Sequence, residues 1–282
     1  MIAHLINTDV GKRGVLELYL DYRKRNFNFL HNSAKLFLDN YGKVLIVTGF
    51  PIPPMNVPET DGPPGALAIY RTVTSLGGEA EILTQREVVK AMMPFQKAFS
   101  LRFVREPDVS SYDLVIFIET PGRAEDGNHY SMSGLPIRGE TFDWVAERAR
   151  EHGVPTIGIG DGGNEIGMGK IRDLVIEHVP LGEKIASVIE TDELILSAVS
   201  NWGAYGLIAE ASIELGRNLL DGWEEAFVVR LLVENGLIDG VKGEREVSVD
   251  GISIEVHRKI IETLELLVVE TLNSKLRSAP HD

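Results

Sequence analysis

The chain has 282 residues, and its 28 Lys+Arg against 42 Asp+Glu give a formal net charge of −14 at pH 7. With 44% hydrophobic and 25% charged residues, the composition is globular and excludes a disordered, collagen-like or coiled-coil chain. There is no Cys, which excludes disulfides, thiolate nucleophiles and Cys-ligated metals, and the acidity argues against a nucleic-acid-binding surface.

The N-terminal half of the chain predicts helices alternating with buried strands. Residues 15–40 have apolar side chains at helical spacing and predict one helix that ends at Gly42. The continuous apolar run Lys43–Thr48 predicts a buried parallel strand, and 65–76 predicts the helix that follows it. Further strands are predicted at 80–83 and 113–119, and further helices at 86–99 and 139–152.

The C-terminal half continues the alternation and then departs from it. Strands are predicted at 155–159 and 193–197, helices at 204–215, 221–236 and 255–274, and a hairpin at 238–255. The sequence therefore predicts an α/β fold, an open, mostly parallel sheet with helices on both faces, plus a small C-terminal hairpin-and-helix appendage. Because no linker-like segment interrupts it, residues 1–282 are expected to form a single domain.

Four polar, Gly-rich segments directly follow four of the predicted strands, at 49–65, 119–134, 158–170 and 200–206. In a parallel sheet the carboxyl ends of the strands lie at one edge, where α/β proteins bind their ligands. Two of these segments exceed the usual loop length, which itself suggests function. We therefore predict one pocket at this edge, lined by Glu59, Asp61, Arg123, Asp161 and Glu165.

The segment GIGDGGNEIGMGK (158–170) contains a formal G-x-G-x-x-G match, but it is too Gly-interrupted to open the long helix of a dinucleotide site. It also fails as a phosphate-binding P-loop, so no nucleotide cofactor is expected. Asp161 and Glu165 flank Gly162 and Gly163, whose N–H groups could face an anion, while the carboxylates could hold a hard cation such as Mg²⁺ or Ca²⁺. The alternative is that Asp161 caps a helical turn.

Four other polar residues in these loops are candidates for chemistry or binding. Glu59 has no obvious structural role, whereas Asp61 could cap the helix that follows it. Arg123 could bind an anionic substrate or form an ion pair with Glu125 or Asp126. His129 could take part directly or act as a loop hydrogen-bonder.

Several segments together resemble one family. ETDGPPGA (59–66), PGRAEDGNHYSMSG (121–134), GIGDGGNEIGMGK (158–170), SNWGAYG (200–206) and SVDGISIEVH (248–257) are similar to the D-glutamate cyclase C-terminal domain family, and residues 9–14 resemble its opening D-x-G-x-R-G. Ser133 stands where the family is expected to have a cation, and Ala204 where a second Gly is usual.

The resemblance implies a hydro-lyase that cyclises D-glutamate to 5-oxo-D-proline with loss of water. It implies catalytic roles for Asp161, Glu165 and Glu59, with Asp161 and Glu165 as ligands of any metal. Substrate-binding residues would be Arg123, Asp61, Gly162, Gly163, Asn164, Asn201 and His129. Two alternatives stay open: a metal-dependent phosphohydrolase or other phosphate-handling enzyme that uses the GDGGNE loop, and a non-catalytic ligand-binding module.

The partner expected from these observations is a small amino-acid substrate. No apolar run reaches the roughly 20 residues that span a bilayer, and the N-terminus lacks the blocks of a secretory signal. We therefore expect a cytoplasmic protein with no membrane or nucleic-acid partner. Whether it forms a homo-oligomer is left open.

Overall fold

The computed structural model describes residues 1–278. The strands, in chain order, are β1 Lys43–Thr48, β2 Pro51–Ile52, β3 Val57–Pro58, β4 Glu79–Leu83, β5 Leu114–Ile118, β6 Thr156–Gly160, β7 Glu193–Leu196, β8 Ser248–Val249 and β9 Ile252–Ser253. The α-helices are α1 Ile2–Leu5, α2 Val15–Arg25, α3 Phe29–Asp39, α4 Pro63–Ser75, α5 Arg86–Met92, α6 Gln96–Phe99, α7 Asp143–His152, α8 Arg172–His178, α9 Gly182–Ile185, α10 Ser200–Leu215, α11 Glu225–Glu234 and α12 Ile254–Ser278.

The central sheet confirms the predicted α/β class. Its five strands lie in the order β4-β1-β5-β6-β7, and each neighbouring pair is parallel. The chain leaves β1 in one direction to form β4, and it later returns to the other side of β1 to form β5. The order of the sheet therefore reverses between β1 and β5, and a crevice opens there at the carboxyl ends of the strands.

The strands are buried on both faces, as their apolar sequences predict. In β1, Val44 and Ile46 belong to the core on one face, which α3, α4 and α10 cover. Leu45 and Val47 belong to a smaller core on the other face, which α7 covers. This alternation is the period of two expected for a strand between two helical layers.

Helix α10 lies at the centre of the larger core and is buried along most of its length. It packs against α3, α4 and α12. At Gly203 a Cβ would lie 2.6 Å from Ile159 Cγ2, so only Gly allows the helix to approach the sheet this closely. Because α10 begins four residues after β7 ends, its N-terminus lies at the carboxyl edge of the sheet.

The predicted single helix over 15–40 is wrong, because the chain forms α2 and α3 with a break at residues 26–28. Asn26 leaves the helical region with φ −133° and ψ 81°. The change of direction brings the Phe29 ring to 5.2 Å from that of Tyr22, centroid to centroid, in the core. Helical spacing alone does not show such a break, because both halves have apolar faces.

Two small hairpins extend from the layers. The β2–β3 hairpin, which the sequence did not predict, rises from the long loop after β1, and β8–β9 forms the predicted C-terminal hairpin before α12. Within residues 1–278 we find no helix with the length and apolar character needed to cross a membrane.

A buried carboxyl group lies away from the sheet edge, at the start of α11. Glu225 is 2% exposed, and its Oε2 accepts hydrogen bonds from Tyr205 Oη at 2.5 Å and Trp223 Nε1 at 3.0 Å. Its Oε1 is buried without a partner among the described residues. Burial raises the pKa of Glu225 to about 7, against the opposing effect of the two hydrogen bonds.

We predict that Glu225→Gln makes stability less dependent on pH. Because the pKa of Glu225 is higher in the folded than in the unfolded protein, folding takes up a proton at this residue. The stability that this proton contributes is lost as the pH rises from about 4.5 to about 7. The substitution should reduce the fall in unfolding free energy between pH 5 and 8 by about 2 to 3 kcal/mol. Urea unfolding at several pH values tests this, with exposed Glu234→Gln as the control. A slope unchanged from wild type would contradict the prediction.

Candidate active site

A cavity of about 580 Å³ opens at the carboxyl edge of the sheet, beside the crevice between β1 and β5. Its lining includes the charged residues Arg13, Glu59, Glu119, Asp161 and Asp250. It also includes apolar residues, namely Phe50, Ile52, Pro53, Met132 and Val241. The acidic residues come from four different loops, which only the fold brings together.

The glycine-rich loop after β6 is closed on itself by Glu165. The Glu165 carboxylate accepts hydrogen bonds from the N–H groups of Asp161 at 3.0 Å, Gly162 at 2.6 Å and Gly163 at 2.7 Å. The anion that the sequence predicts for this nest of N–H groups is therefore the chain's own carboxylate. These contacts correct the expectation that Gly162 and Gly163 bind substrate, and they leave no open cradle for a phosphate.

The position of Glu165 does not fit the catalytic and metal-binding roles predicted for it. It is buried, it does not line the cavity, and both of its oxygens are engaged by the loop. A carboxylate that accepts three N–H groups is held as a structural anion. We therefore assign Glu165 to organising the loop that presents Asp161.

Asp161 faces the cavity and is paired with Arg13, a residue that the sequence analysis did not select. Arg13 Nη1 lies 2.7 Å from Asp161 Oδ2, and Nη2 lies 3.3 Å from Oδ1. The same Nη1 also contacts Asp250, at the turn of the β8–β9 hairpin. Asp9 holds the Arg13 loop by accepting the N–H of Arg13 at 2.8 Å. The D-x-G-x-R-G segment was the available signal for Arg13, and the SVDGISIEVH segment (248–257) was the available signal for Asp250.

Asp61 and Asn201 cap each other's helices. The Asp61 carboxylate accepts the N–H groups of Ser200 and Asn201, both at 2.8 Å, at the start of α10. Asn201 Oδ1 in turn accepts the N–H groups of Gly62 at 3.0 Å and Gly65 at 2.9 Å, at the start of α4. Asp61 is thus a cap, as the alternative proposed, but for a helix distant in sequence. The expectation that Asn201 binds substrate is corrected, because its side chain is occupied by these contacts.

Glu119 is a third site residue, after Arg13 and Asp250, that the sequence did not predict. It follows β5 directly, lines the cavity, and has a φ of 44°, a left-handed value that costs about 1–3 kcal/mol in a residue with a Cβ. Its Oε2 accepts a hydrogen bond from Ser200 Oγ at 2.5 Å. The sequence signal for Glu119 was its position, because it is the first residue of 119–134, one of the loops predicted to lie at the binding edge of the sheet.

Glu59 is distinguished by a carboxylate with no hydrogen-bond donor among residues 1–278. It follows the β2–β3 hairpin, is 5% exposed, and lines the cavity. The Gly240 backbone passes so close that a Cβ there would collide with the Glu59 carboxylate. Glu59 therefore combines deep burial with a carboxylate that is free to contact a ligand.

The acidic cluster is electrostatically unfavourable. Burial raises the pKa of the Glu59, Asp61, Glu119 and Asp161 carboxyls, and repulsion among the carboxylates adds to this effect. Arg13 opposes the rise at Glu59, Asp61 and Asp161. The cluster must therefore retain protons or take up positive charge from a ligand.

The oxygens of Asp61, Glu119 and Asp161 lie within 4.8 Å of one another, which is compatible with one shared cation. This set replaces the predicted pair Asp161 and Glu165 as the donors that the fold brings together.

Of the residues predicted to share one pocket, Glu59 and Asp161 line the cavity, whereas Asp61, Arg123 and Glu165 do not. His129 also lies outside the lining. Arg123 Nη2 pairs with Glu147 Oε1 at 2.6 Å, and His129 Nε2 contacts Asp143 Oδ2 at 2.5 Å. Asp143 also accepts the backbone N–H of Arg123, so the first turns of α7 hold this loop. The alternative partners of Arg123 are engaged elsewhere: Glu125 pairs with Arg172, and Asp126 accepts from Tyr130.

Asn164 does line the cavity. Its Nδ2 donates to the carbonyl oxygen of Tyr130 at 2.7 Å, which fixes the orientation of the amide. Its Oδ1 has no hydrogen-bond partner among the described residues, so it remains an acceptor for a ligand. Of the predicted binding residues, Asn164 is thus the one whose side chain retains a free polar atom at the cavity.

We predict that Asn201→Ala destabilises the fold. It removes the acceptor of the buried Gly65 N–H and one of the two acceptors of the Gly62 N–H, which Asp61 Oδ1 also accepts, and this should cost about 2 kcal/mol. The matched control is Asn235→Ala, since Asn235 is exposed and bonds only to the carbonyl oxygen of Leu231, and this change should stay within about 0.5 kcal/mol. Urea unfolding compares the two variants, and equal effects would refute the reciprocal-cap assignment.

Comparison with known proteins places this site in a family. Residues 2–265 match the family model described as D-glutamate cyclase-like, C-terminal. The human protein named D-glutamate cyclase, mitochondrial, is 28% identical over an alignment that covers 93% of this chain and 50% of that protein. The chain thus spans about half of the length of this human relative. Because the family match extends over nearly the whole chain, the protein belongs to the D-glutamate cyclase-like C-terminal family.

Proposed function

We propose that this protein cyclises D-glutamate to 5-oxo-D-proline with loss of water. The name of the human relative supports the substrate and the reaction type. The structural observation that carries the proposal is the buried carboxyl cluster, which retains protons at a higher pH than ordinary carboxyls and borders a cavity. A cavity of about 580 Å³ has room for an amino acid of this size.

The proposed reaction is a transfer of two protons from nitrogen to oxygen. The α-ammonium loses two protons as its nitrogen bonds to the γ-carboxyl carbon. One γ-carboxylate oxygen gains two protons and leaves as water, so the reaction requires no oxidant or reductant. A carboxyl group with a raised pKa suits both steps, because it accepts a proton at a higher pH than an ordinary carboxyl group and can then donate it.

Glu59 is the strongest candidate for the proton carrier. The other four carboxyl groups of the site are engaged in the fold. Asp61 accepts helix N–H groups, Glu119 accepts from Ser200, and Asp161 and Asp250 contact Arg13. The Glu59 carboxylate has no such contact within residues 1–278, so a substrate ammonium can approach it without displacing a partner. Asn164 Oδ1 offers the ammonium a second acceptor.

The γ-carboxylate must be neutralised before an amine can attack it. Arg13 lines the cavity, but Asp161 and Asp250 both pair with it and offset its charge. A divalent cation such as Mg²⁺ or Ca²⁺ would be held by Asp61, Glu119 and Asp161, and when bound it would add charge that polarises the carboxyl group. Binding of the cation would release the protons of these carboxyl groups to solvent.

The proposal is tested by incubating the purified protein with D-glutamate and measuring 5-oxoproline by chromatography. The assay is run with Mg²⁺, with Ca²⁺ and with a chelator, and L-glutamate is the matched control substrate. Absence of 5-oxoproline from D-glutamate under every condition would contradict the proposal. Calorimetric binding of D-glutamate without turnover would indicate the non-catalytic alternative, and hydrolysis of a phosphomonoester would indicate the phosphohydrolase.

We predict that Glu59→Gln reduces kcat at least about 100-fold, because the amide cannot carry a proton. The melting temperature should stay the same or rise, since the change removes a buried ionisable group whose oxygens accept no hydrogen bond within the described residues. Glu190→Gln, on an exposed side chain, is the control for both measurements. Retained kcat, or a large loss of stability, would show that Glu59 has a structural role instead.

A further inference from the structure

Positive charge is scarce in the cavity. Among the described residues that line it, Arg13 and Lys242 are the basic ones, against four carboxylates. The Arg13 guanidinium is already shared between Asp161 and Asp250, so its charge is offset by the protein itself. Lys242, whose partner Glu246 is exposed, is therefore the lining cation that is more available to an anionic group of a ligand.

Lys242 has a fixed backbone and an exposed side chain. It lies in a turn at residues 239–243, where Asp239 Oδ1 accepts the N–H groups of Val241 and Lys242, both at 2.9 Å. Its Nζ lies 2.7 Å from Glu246 Oε1, and the side chains of Lys242 and Glu246 are 31% and 53% exposed. Such exposed ion pairs contribute little to stability, so a ligand carboxylate can replace Glu246 at small cost.

We propose that Lys242 binds the α-carboxylate of the substrate, and this inference rests on the proposed function. The reacting amine and γ-carboxyl group must lie together beside Glu59. The α-carboxylate does not react, and the acidic cluster repels it. The turn that carries Lys242 lines the same cavity and offers it a cation. Glu246 then competes with the substrate for Lys242.

The role of the α-carboxylate in the reaction determines which kinetic constant a Lys242 substitution should change. The α-carboxylate is unchanged between D-glutamate and 5-oxo-D-proline, so Lys242 holds substrate and product alike. Loss of such uniform binding raises KM and leaves kcat nearly unchanged. This separates Lys242 from a catalytic residue, whose loss would lower kcat.

The test uses steady-state kinetics with D-glutamate, and calorimetric binding of glutarate and of 5-oxo-D-proline. Lys242→Met should raise KM and both dissociation constants about tenfold, since a charge-assisted hydrogen bond is lost. Lys242→Arg should restore much of the affinity. Glu246→Gln should lower KM about twofold, because it removes the competing carboxylate. Lys259→Met is the matched control, since Lys259 is exposed and pairs with Glu262 elsewhere on the surface.

The two ligands separate this inference from the proposed function. Glutarate has both carboxylates but no amine, so it binds without being able to cyclise. Weaker glutarate binding in Lys242→Met would support the inference even if D-glutamate is not turned over. Turnover in the wild type with unchanged KM and binding constants in Lys242→Met would overturn the inference alone. Absence of both turnover and binding of either ligand would overturn both.

Discussion

The reciprocal contact between Asp61 and Asn201 is the interaction on which the site depends. Each side chain satisfies the first N–H groups of the helix that carries the other, so α4 and α10 begin at one fixed position. These helices follow the loops after β1 and β7, on either side of the crevice. Because unpaired N–H groups at a buried helix start are costly, the contact fixes the starts of both helices at the sheet edge. The remaining acidic residues are arranged around this junction.

The site concentrates unfavourable features that the rest of the fold compensates. Glu119 has a left-handed φ, and several buried carboxyls repel one another around Arg13. Two apolar cores and the buried helix α10 supply the stability that tolerates this arrangement. A cluster of this kind is poised to bind positive charge or exchange protons, which is the property that the proposed cyclisation needs.

The GDGGNE loop shows how one set of residues can serve structure and chemistry separately. Glu165 and Asp161 have the same carboxyl group and lie four residues apart, yet they differ in what they contact. Glu165 turns inward and gathers the loop N–H groups, whereas Asp161 turns outward to Arg13 and the cavity. The glycines between them permit the tight turn, and the loop thereby presents Asp161 at the end of β6.

The sequence itself determined three features of the fold. They are the order of strands and helices along the chain, the α/β class, and the edge of the sheet that carries the polar loops. Local apolar periodicity and glycine positions encode these features, and they do not depend on distant contacts. The sequence also placed Glu59, Asp161 and Asn164 among the site residues. The break between α2 and α3 escaped it, because two helices with similar apolar faces have the periodicity of one.

Only the tertiary structure decided which polar side chains remain free for a ligand. Whether Glu165, Asn201, Arg123 and His129 face the cavity depends on N–H groups and carboxylates that lie on other elements. Arg13 and Asp250 come from opposite ends of the chain and meet at Asp161 only when the layers close. Local sequence records the chemical type of a side chain, but its partners, and therefore its role, follow from long-range packing.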